Sequence, residues 1–236
     1  KAEDIVKTEV DKLKVHKATN GAAVVTDPKT GEILAMVGSK DYFDKENGGN
    51  FNVATQGKRQ PGSSMKPIMY ATALEKGYTA ATLIMDTKTD FPTLDPTKPV
   101  YTPVNYDGKY HGAVQMRFAL GNSLNVPAVK MLAMVGIESV MKQAYEMGIE
   151  NWQPTKENME NVGLSLVLGG RETTLLDEMT AYGVLANKGV RQDSVSILKV
   201  TDRDGHTIFE HKKTDGKKVL CEEVAFITSH VLLDNN

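Results

Sequence analysis

A proline–glycine break followed by an almost uncharged helical run sets the centre of this chain. Pro61 and Gly62 interrupt the preceding segment, and Met65, Ile68, Met69, Ala71, Ala73 and Leu74 then follow, with no charge between Lys66 and Glu75. A run apolar on every side, closed by Gly77, predicts a helix buried all round, against which other elements must pack. Ser63 and Lys66 stand at its start. One helical turn brings positions i and i+3 to the same face, so a hydroxyl and an amine meet beside apolar walls, a nucleophile with its base alongside. Ser-x-x-Lys by itself is weak, and it recurs at Ser139/Lys142 and Ser196/Lys199. Ser139, near the start of an amphipathic run, reads as a helix cap. Ser196 lies in an alternating segment, 195–200, where strand geometry sends it and Lys199 to opposite faces. Only Ser63 has the local structure the chemistry needs.

Composition narrows the partners. The 236 residues suffice for one large domain or two small ones, and a net charge of −2 with interspersed signs gives no basis for nucleic-acid or anionic-membrane binding. The basic cluster His211-Lys212-Lys213 with Lys217-Lys218 reads as a solvated turn. No segment approaches a membrane span, and no signal peptide is visible. Cys221 excludes an intrachain disulfide and is expected as a small buried hydrophobe on the last helix. The start at Lys1, and the end at Asp234-Asn235-Asn236 directly behind a helical run, read as a piece of a longer protein. Residues 1–20 are expected to form a linker and an amphipathic helix, with Ile5, Val6, Val10 and Leu13 needing upstream material to pack on.

Residues 21–39 predict a β-hairpin around Asp27-Pro28-Lys29-Thr30-Gly31, its second strand apolar enough to be covered on both faces. Residues 40–57 read as a polar loop, and 79–111, with Pro92, Pro96, Pro99 and Pro103, as a long irregular stretch. Helix is expected at 114–120, 128–135, 137–147, 174–188 and 222–233, and a second hairpin at 195–210. Strands towards both ends and helices between them make the fold class α+β.

One interruption matters most. Gly121-Asn122-Ser123-Leu124-Asn125-Val126-Pro127 stops one helix and starts another, presenting Ser123 and Asn125 from a tight connection. Capping by either residue of a helix beginning near Pro127 is the plain alternative. It is also the only Ser-x-Asn in the chain.

Residues 51–67, with Pro61-Gly62-Ser63-Ser64-Met65-Lys66-Pro67, resemble the active-site helix region of class A penicillin-binding proteins. Residues 119–129 are similar to the second motif of that family, and 166–169 and 175–189 add further likeness. The resemblance spans residues 21–236, read as one transpeptidase domain incomplete at its C-terminus. It implies a β-lactamase/transpeptidase-like fold, an antiparallel sheet flanked by helices with an all-helical subdomain. It also implies a serine DD-transpeptidase without metal or cofactor. Ser63 would be acylated by a D-Ala-D-Ala peptidoglycan stem peptide, or by a β-lactam antibiotic, and would pass the acyl group to an acceptor amine. Lys66 would accept the Ser63 proton, Ser123 would relay a proton to the leaving group, and Asn125 would hold Lys66 and the substrate amide. The family further implies the extracytoplasmic face of a bacterial cell membrane, an N-terminal anchor and a glycosyltransferase domain, both outside this chain.

The family carries a third motif, Lys-Thr/Ser-Gly, on a strand beside the nucleophile, and the expectation here is that this chain has no Lys-Thr-Gly. Lys213-Thr214-Asp215-Gly216 has an inserted Asp in a hydrophilic turn and is rejected. The motif's strand is expected beyond residue 236, leaving the first hairpin with an apolar edge. Alternatives are a β-lactam sensor acylated at Ser63 without turnover, a DD-carboxypeptidase, or a β-lactamase, for which neither Glu157 nor Glu160 offers a recognisable deacylation pattern.

Overall fold

A computed structural model describes residues 1–93, 96–160 and 162–234. Asn235 and Asn236, part of the expected C-terminal end, lie outside the described residues. In chain order the elements are α1 (Ala2–Lys12), β1 (Ala23–Thr26), β2 (Ile33–Val37), α2 (Val53–Gln56), α3 (Lys66–Glu75), β3 (Leu83–Asp86), β4 (Phe91–Pro92), β5 (Val100–Tyr101) and β6 (Gly112–Gln115). After these come α4 (Met116–Gly121), α5 (Asn125–Val135), α6 (Ile137–Met147), α7 (Lys156–Met159), α8 (Leu175–Ala186), β7 (Val190–Arg191), β8 (Lys199–Thr201), β9 (Thr207–Glu210), β10 (Lys217–Lys218) and α9 (Glu222–Leu232). The class is α+β. Among the described residues the strands pair antiparallel in two-stranded ladders rather than in the single sheet expected.

The chain divides into two compact units, the first formed by Lys1–Arg59, Met147–Ile149 and Thr173–Val219. Here the β1–β2 hairpin forms as its turn chemistry dictates, with Gly31 at φ 77° and its N–H closing onto Asp27 O. Strand β2 is not covered on both faces. A bulge between Val25 and Thr26 leaves Leu34 as the extra residue, 62% exposed. Helix α1 sets Val10 against β2, so part of its apolar stripe is covered within the chain. The polar 40–57 stretch contains α2, capped by Asn52, which accepts from the Ala54 and Thr55 N–H groups. Thr174 caps α8 by accepting from Asp177 N. The second hairpin is shorter than expected, since only β8 and β9 pair, and Ser196 lies outside β8. Lys217 and Lys218 form β10 against β7 rather than a turn.

The second unit comprises Gln60–Glu146, Glu150–Glu172 and Leu220–Asn236. Its axis is α3, where every residue from Lys66 to Ala73 is buried, packed against α4, α5 and α9. The expected all-helical subdomain also holds two ladders, β3–β6 and β4–β5, which replace the irregular 79–111 stretch and take over Val114. Strand β3 alternates, with Ile84 and Asp86 buried and Leu83 and Met85 exposed, so period-2 geometry delivers a carboxylate inward. Ser139 is the third residue of α6 and not a cap; its hydroxyl accepts from Lys76 Nζ at 2.7 Å. Cys221 is exposed at the N-cap of α9, its N–H donating to Glu75 Oε1. A residue that starts a helix sits on its rim, which is why the buried position expected for it fails.

Candidate active site

Ser63, Lys66, Ser123 and Asn125 all fall in the second unit. Gly62–Met65 is a 3-10 turn that runs directly into α3, so Ser63 stands just ahead of the buried helix and Lys66 is its first residue. Pro67 is tolerated there because the first turn needs no N–H donor from it.

The α4–α5 connection is a Schellman turn. Leu124 N–H donates to Ala119 O and Ser123 N–H to Leu120 O, both at 2.9 Å, and Ser123 takes the left-handed conformation, φ 51°. Glycine is the usual occupant of that place, and a side chain there costs about 1 kcal/mol. We therefore expect Ser123→Gly to be more stable than Ser123→Ala by about 1 kcal/mol in urea denaturation. Equal midpoints would mean that the strain lies elsewhere.

The capping alternative fails on geometry. Leu124 occupies the N-cap of α5, without a side-chain bond, and the helix begins at Asn125 rather than near Pro127. The first N–H groups of α5, on Asn125 and Val126, are instead taken by Asn105 Oδ1 at 2.8 and 3.1 Å. Asn125 is left free to turn its amide elsewhere, its Nδ2 donating to Val104 O at 2.8 Å.

Lys66 joins these pieces. Its Nζ donates to Ser123 O at 2.5 Å, Ser123 Oγ at 3.1 Å and Asn125 Oδ1 at 2.7 Å, which occupies all three ammonium protons. The side chain is 1% exposed. Burial disfavours its charged form and pushes its pKa down to about 8. At pH 7 roughly one molecule in ten then carries a neutral Lys66. Burial is the cause of the shift.

Ser63 is exposed, and among the described residues its hydroxyl has no hydrogen-bond partner. The direct Ser63–Lys66 bond expected from the helical spacing is not made, because three acceptors from the α4–α5 connection claim the ammonium. Catalytic bonds of this kind are often open before substrate arrives.

The expectation about the third motif needs a correction. Lys29-Thr30-Gly31 is a Lys-Thr-Gly triplet, but it forms the β1–β2 turn, with Lys29 N–H on Asp27 Oδ1 and Glu32 N–H on Thr30 Oγ1. It is in the first unit and serves turn chemistry, not a strand beside Ser63. Glu157 and Glu160 are exposed, Glu157 on α7 and Glu160 just after it.

Sequence reasoning missed Asp86 and Asn105, which hold the α5 N-terminus, and Gly169, which lies against Gly62. Leu83-Ile84-Met85-Asp86 carries no apolar–polar alternation in its sequence, so the burial of Asp86 shows only in the structure. Asn105 sits in the proline-rich stretch and carries no periodic signal.

The penicillin binding protein transpeptidase domain family model matches residues 21–232. Penicillin-binding protein 1A of Neisseria lactamica is 40% identical over 185 residues, 78% of this chain and 22% of that protein. Penicillin-binding protein 2D of Bacillus subtilis is 35% identical over 207 residues, 87% of this chain and 28% of that protein. The crystal structure of penicillin-binding protein 1A from Haemophilus influenzae superposes with a TM-score of 0.78 at 27% identity, covering 90% of this chain and 34% of that one. The chain thus spans about a quarter of the length of these curated relatives.

Proposed function

Since the chain belongs to the penicillin-binding protein transpeptidase family, we propose that it carries the acylation centre of a peptidoglycan DD-transpeptidase, with Ser63 as the nucleophile. The observation that carries this reading is the buried Lys66, bonded at once to Ser123 and Asn125.

Ser63 Oγ attacks the penultimate D-Ala carbonyl carbon of a stem peptide while its proton passes to neutral Lys66. The C–N bond to the terminal D-Ala then breaks, and the leaving amine takes up a proton. The Lys66 partners suggest the route. When the ammonium becomes an amine, its lone pair needs a donor, and the Ser123 carbonyl and Asn125 Oδ1 can only accept. Ser123 Oγ–H can turn and donate, so it is the partner suited to shuttle a proton between Lys66 and the leaving group. An acceptor amine then attacks the ester, releasing Ser63 as its hydroxyl and leaving the cross-link. A β-lactam enters the first step alone, and its ring-opened acyl group stays on Ser63.

A deacylating β-lactamase is less well supported, because no carboxylate is among the bonds to Lys66 Nζ. The substrate chemistry also assigns the domain to the extracytoplasmic face of the bacterial cell membrane, on a protein with an anchor and a glycosyltransferase domain outside these residues. Among the described residues no helix is long and apolar enough to cross a membrane. Incubation of the full-length protein with a fluorescent penicillin, followed by peptide mass mapping, tests the reading. The adduct is expected on Ser63 and should vanish in Ser63→Ala. An adduct elsewhere, or none, sinks it.

A further inference from the structure

Behind Asn125 lies a buried polar chain to which the proposed chemistry assigns no step. Asp86, fully buried at the end of β3, accepts from Asn105 Nδ2 through both oxygens, at 3.0 and 2.8 Å. It also accepts from His111 N at 2.9 Å and pairs with His111 Nδ1 at 2.7 Å. Asn105, 3% exposed, makes a further bond from Nδ2 to Lys109 O at 2.8 Å. Its Oδ1 is the acceptor for the first two N–H groups of α5. The amide orientation is forced by its neighbours. A carboxylate can only accept and a backbone N–H can only donate, so Nδ2 must face Asp86 and Oδ1 must face α5.

A helix normally draws its N-terminal acceptor from its own N-cap. Helix α5 has Leu124 there, which offers none, so the acceptor comes from a residue 20 positions upstream in the chain. That acceptor binds the main chain of the residue whose side chain receives Lys66 Nζ. The neighbouring Val104 O takes the other end of the same Asn125 amide. Asn125 is therefore gripped at its N–H by Asn105 and at its Nδ2 by Val104, and only its Oδ1 faces Lys66.

We propose that Asn105, locked by Asp86, is a positioning residue of the reaction: it sets where Asn125 Oδ1 meets Lys66, and so how Lys66 is poised to take a proton. This rests on the transpeptidase reading above. Other charged groups around Asp86 are His111, itself paired with Asp107 at 3.2 Å, and Lys130, whose Nζ donates to Met85 O and Thr87 Oγ1. None of them bonds Asn125.

The test is the acylation rate of the full-length protein by a fluorescent penicillin across pH, with thermal midpoints alongside. Asn105→Ala is expected to lower the plateau rate about 100-fold through misplacement of the site. Its pH inflection should also move down, since a lost acceptor bond weakens the hold on the charged form of Lys66. A loss of stability alone would lower the midpoint and leave that inflection in place. The reciprocal swap Asp86→Asn with Asn105→Asp keeps a donor facing an acceptor and still offers an oxygen to α5, but takes away the donor to Lys109 O. It should recover part of the rate and move the inflection back towards the wild-type value, where Asn105→Asp alone sets two carboxylates together and does not. Wild-type rate and inflection in a folded Asn105→Ala overturn the inference. So does a swap that restores the midpoint without moving the inflection back, which answers the question even if Asn105→Ala fails to fold. Failure of the wild type to be acylated at Ser63 would instead remove the transpeptidase reading itself.

Discussion

Between pH 6 and pH 9 the acylation rate of Ser63 is expected to climb about 90-fold, following the neutral fraction of a base that titrates near 8. An ordinary lysine would still be rising steeply at pH 9, so the position of the plateau reports the burial of Lys66 directly. Relative to the usual value of 10.5, the shift to about 8 raises the neutral fraction at pH 7 about 300-fold. Lys66→Met removes the base and should cut acylation by roughly 1,000-fold, within the range for loss of a general base. The same shift has a stability consequence with a definite sign. Unfolded, the lysine holds its proton up to about 10.4; folded, it releases it near 8. The unfolded chain binds more protons between those values, so this group makes the protein more stable as pH rises through that window, by about 3 kcal/mol in all. Below 8 the full cost of holding a buried ammonium is present. Urea denaturation of wild type and Lys66→Met at pH 7.5 and pH 10 should show the difference between the two proteins growing in favour of the wild type. A constant difference, or an acylation plateau above pH 10, would mean that Lys66 is not the titrating base.

Much of the site was legible because its elements are written locally. The apolar run after Pro61-Gly62 has the composition of a helix covered on every side, and α3 is that helix. The break at 121–127 carries its own turn chemistry, and the structure places Ser123 at the left-handed residue of that turn. What was hidden depends on partners distant in sequence. Nothing near Asn105 indicates that it will cap a helix 20 residues away, and the irregular look of 79–111 concealed three short strands whose pairing is set by tertiary contact. The Ser63–Lys66 bond was expected from i, i+3 spacing alone. It gave way to Ser123 O, Ser123 Oγ and Asn125 Oδ1, since spacing fixes which groups are neighbours and not which acceptor wins. Lys29-Thr30-Gly31 shows the converse hazard: a triplet used by the family as a site motif is here the cheapest way to close a hairpin.

Gly169→Ala is expected to disable the site without touching any group that does chemistry. A Cβ at Gly169 would stand 2.0 Å from Gly62 N, 2.4 Å from Gly62 Cα and 2.7 Å from Gly62 O. These are backbone atoms of the turn that presents Ser63, so they cannot swing aside as a side-chain tip would. Gly169 also sits at φ 78°, where an alanine adds about 1–2 kcal/mol of conformational cost to the 1–3 kcal/mol typical of overpacking. The sum, about 2–5 kcal/mol, should appear as a lowered thermal midpoint. Relief of the clash must displace Gly62 by an ångström or more, and Ser63 moves with it. Displacement on that scale costs a reaction about 100-fold. Gly77→Ala separates the two contributions. Gly77 has φ 90° and open space around a Cβ, so it keeps the conformational cost and loses the clash. It should fall by about 1 kcal/mol in stability and acylate at the wild-type rate. If Gly169→Ala matches Gly77→Ala in both measurements, the Gly62–Gly169 approach does not hold the nucleophile in place.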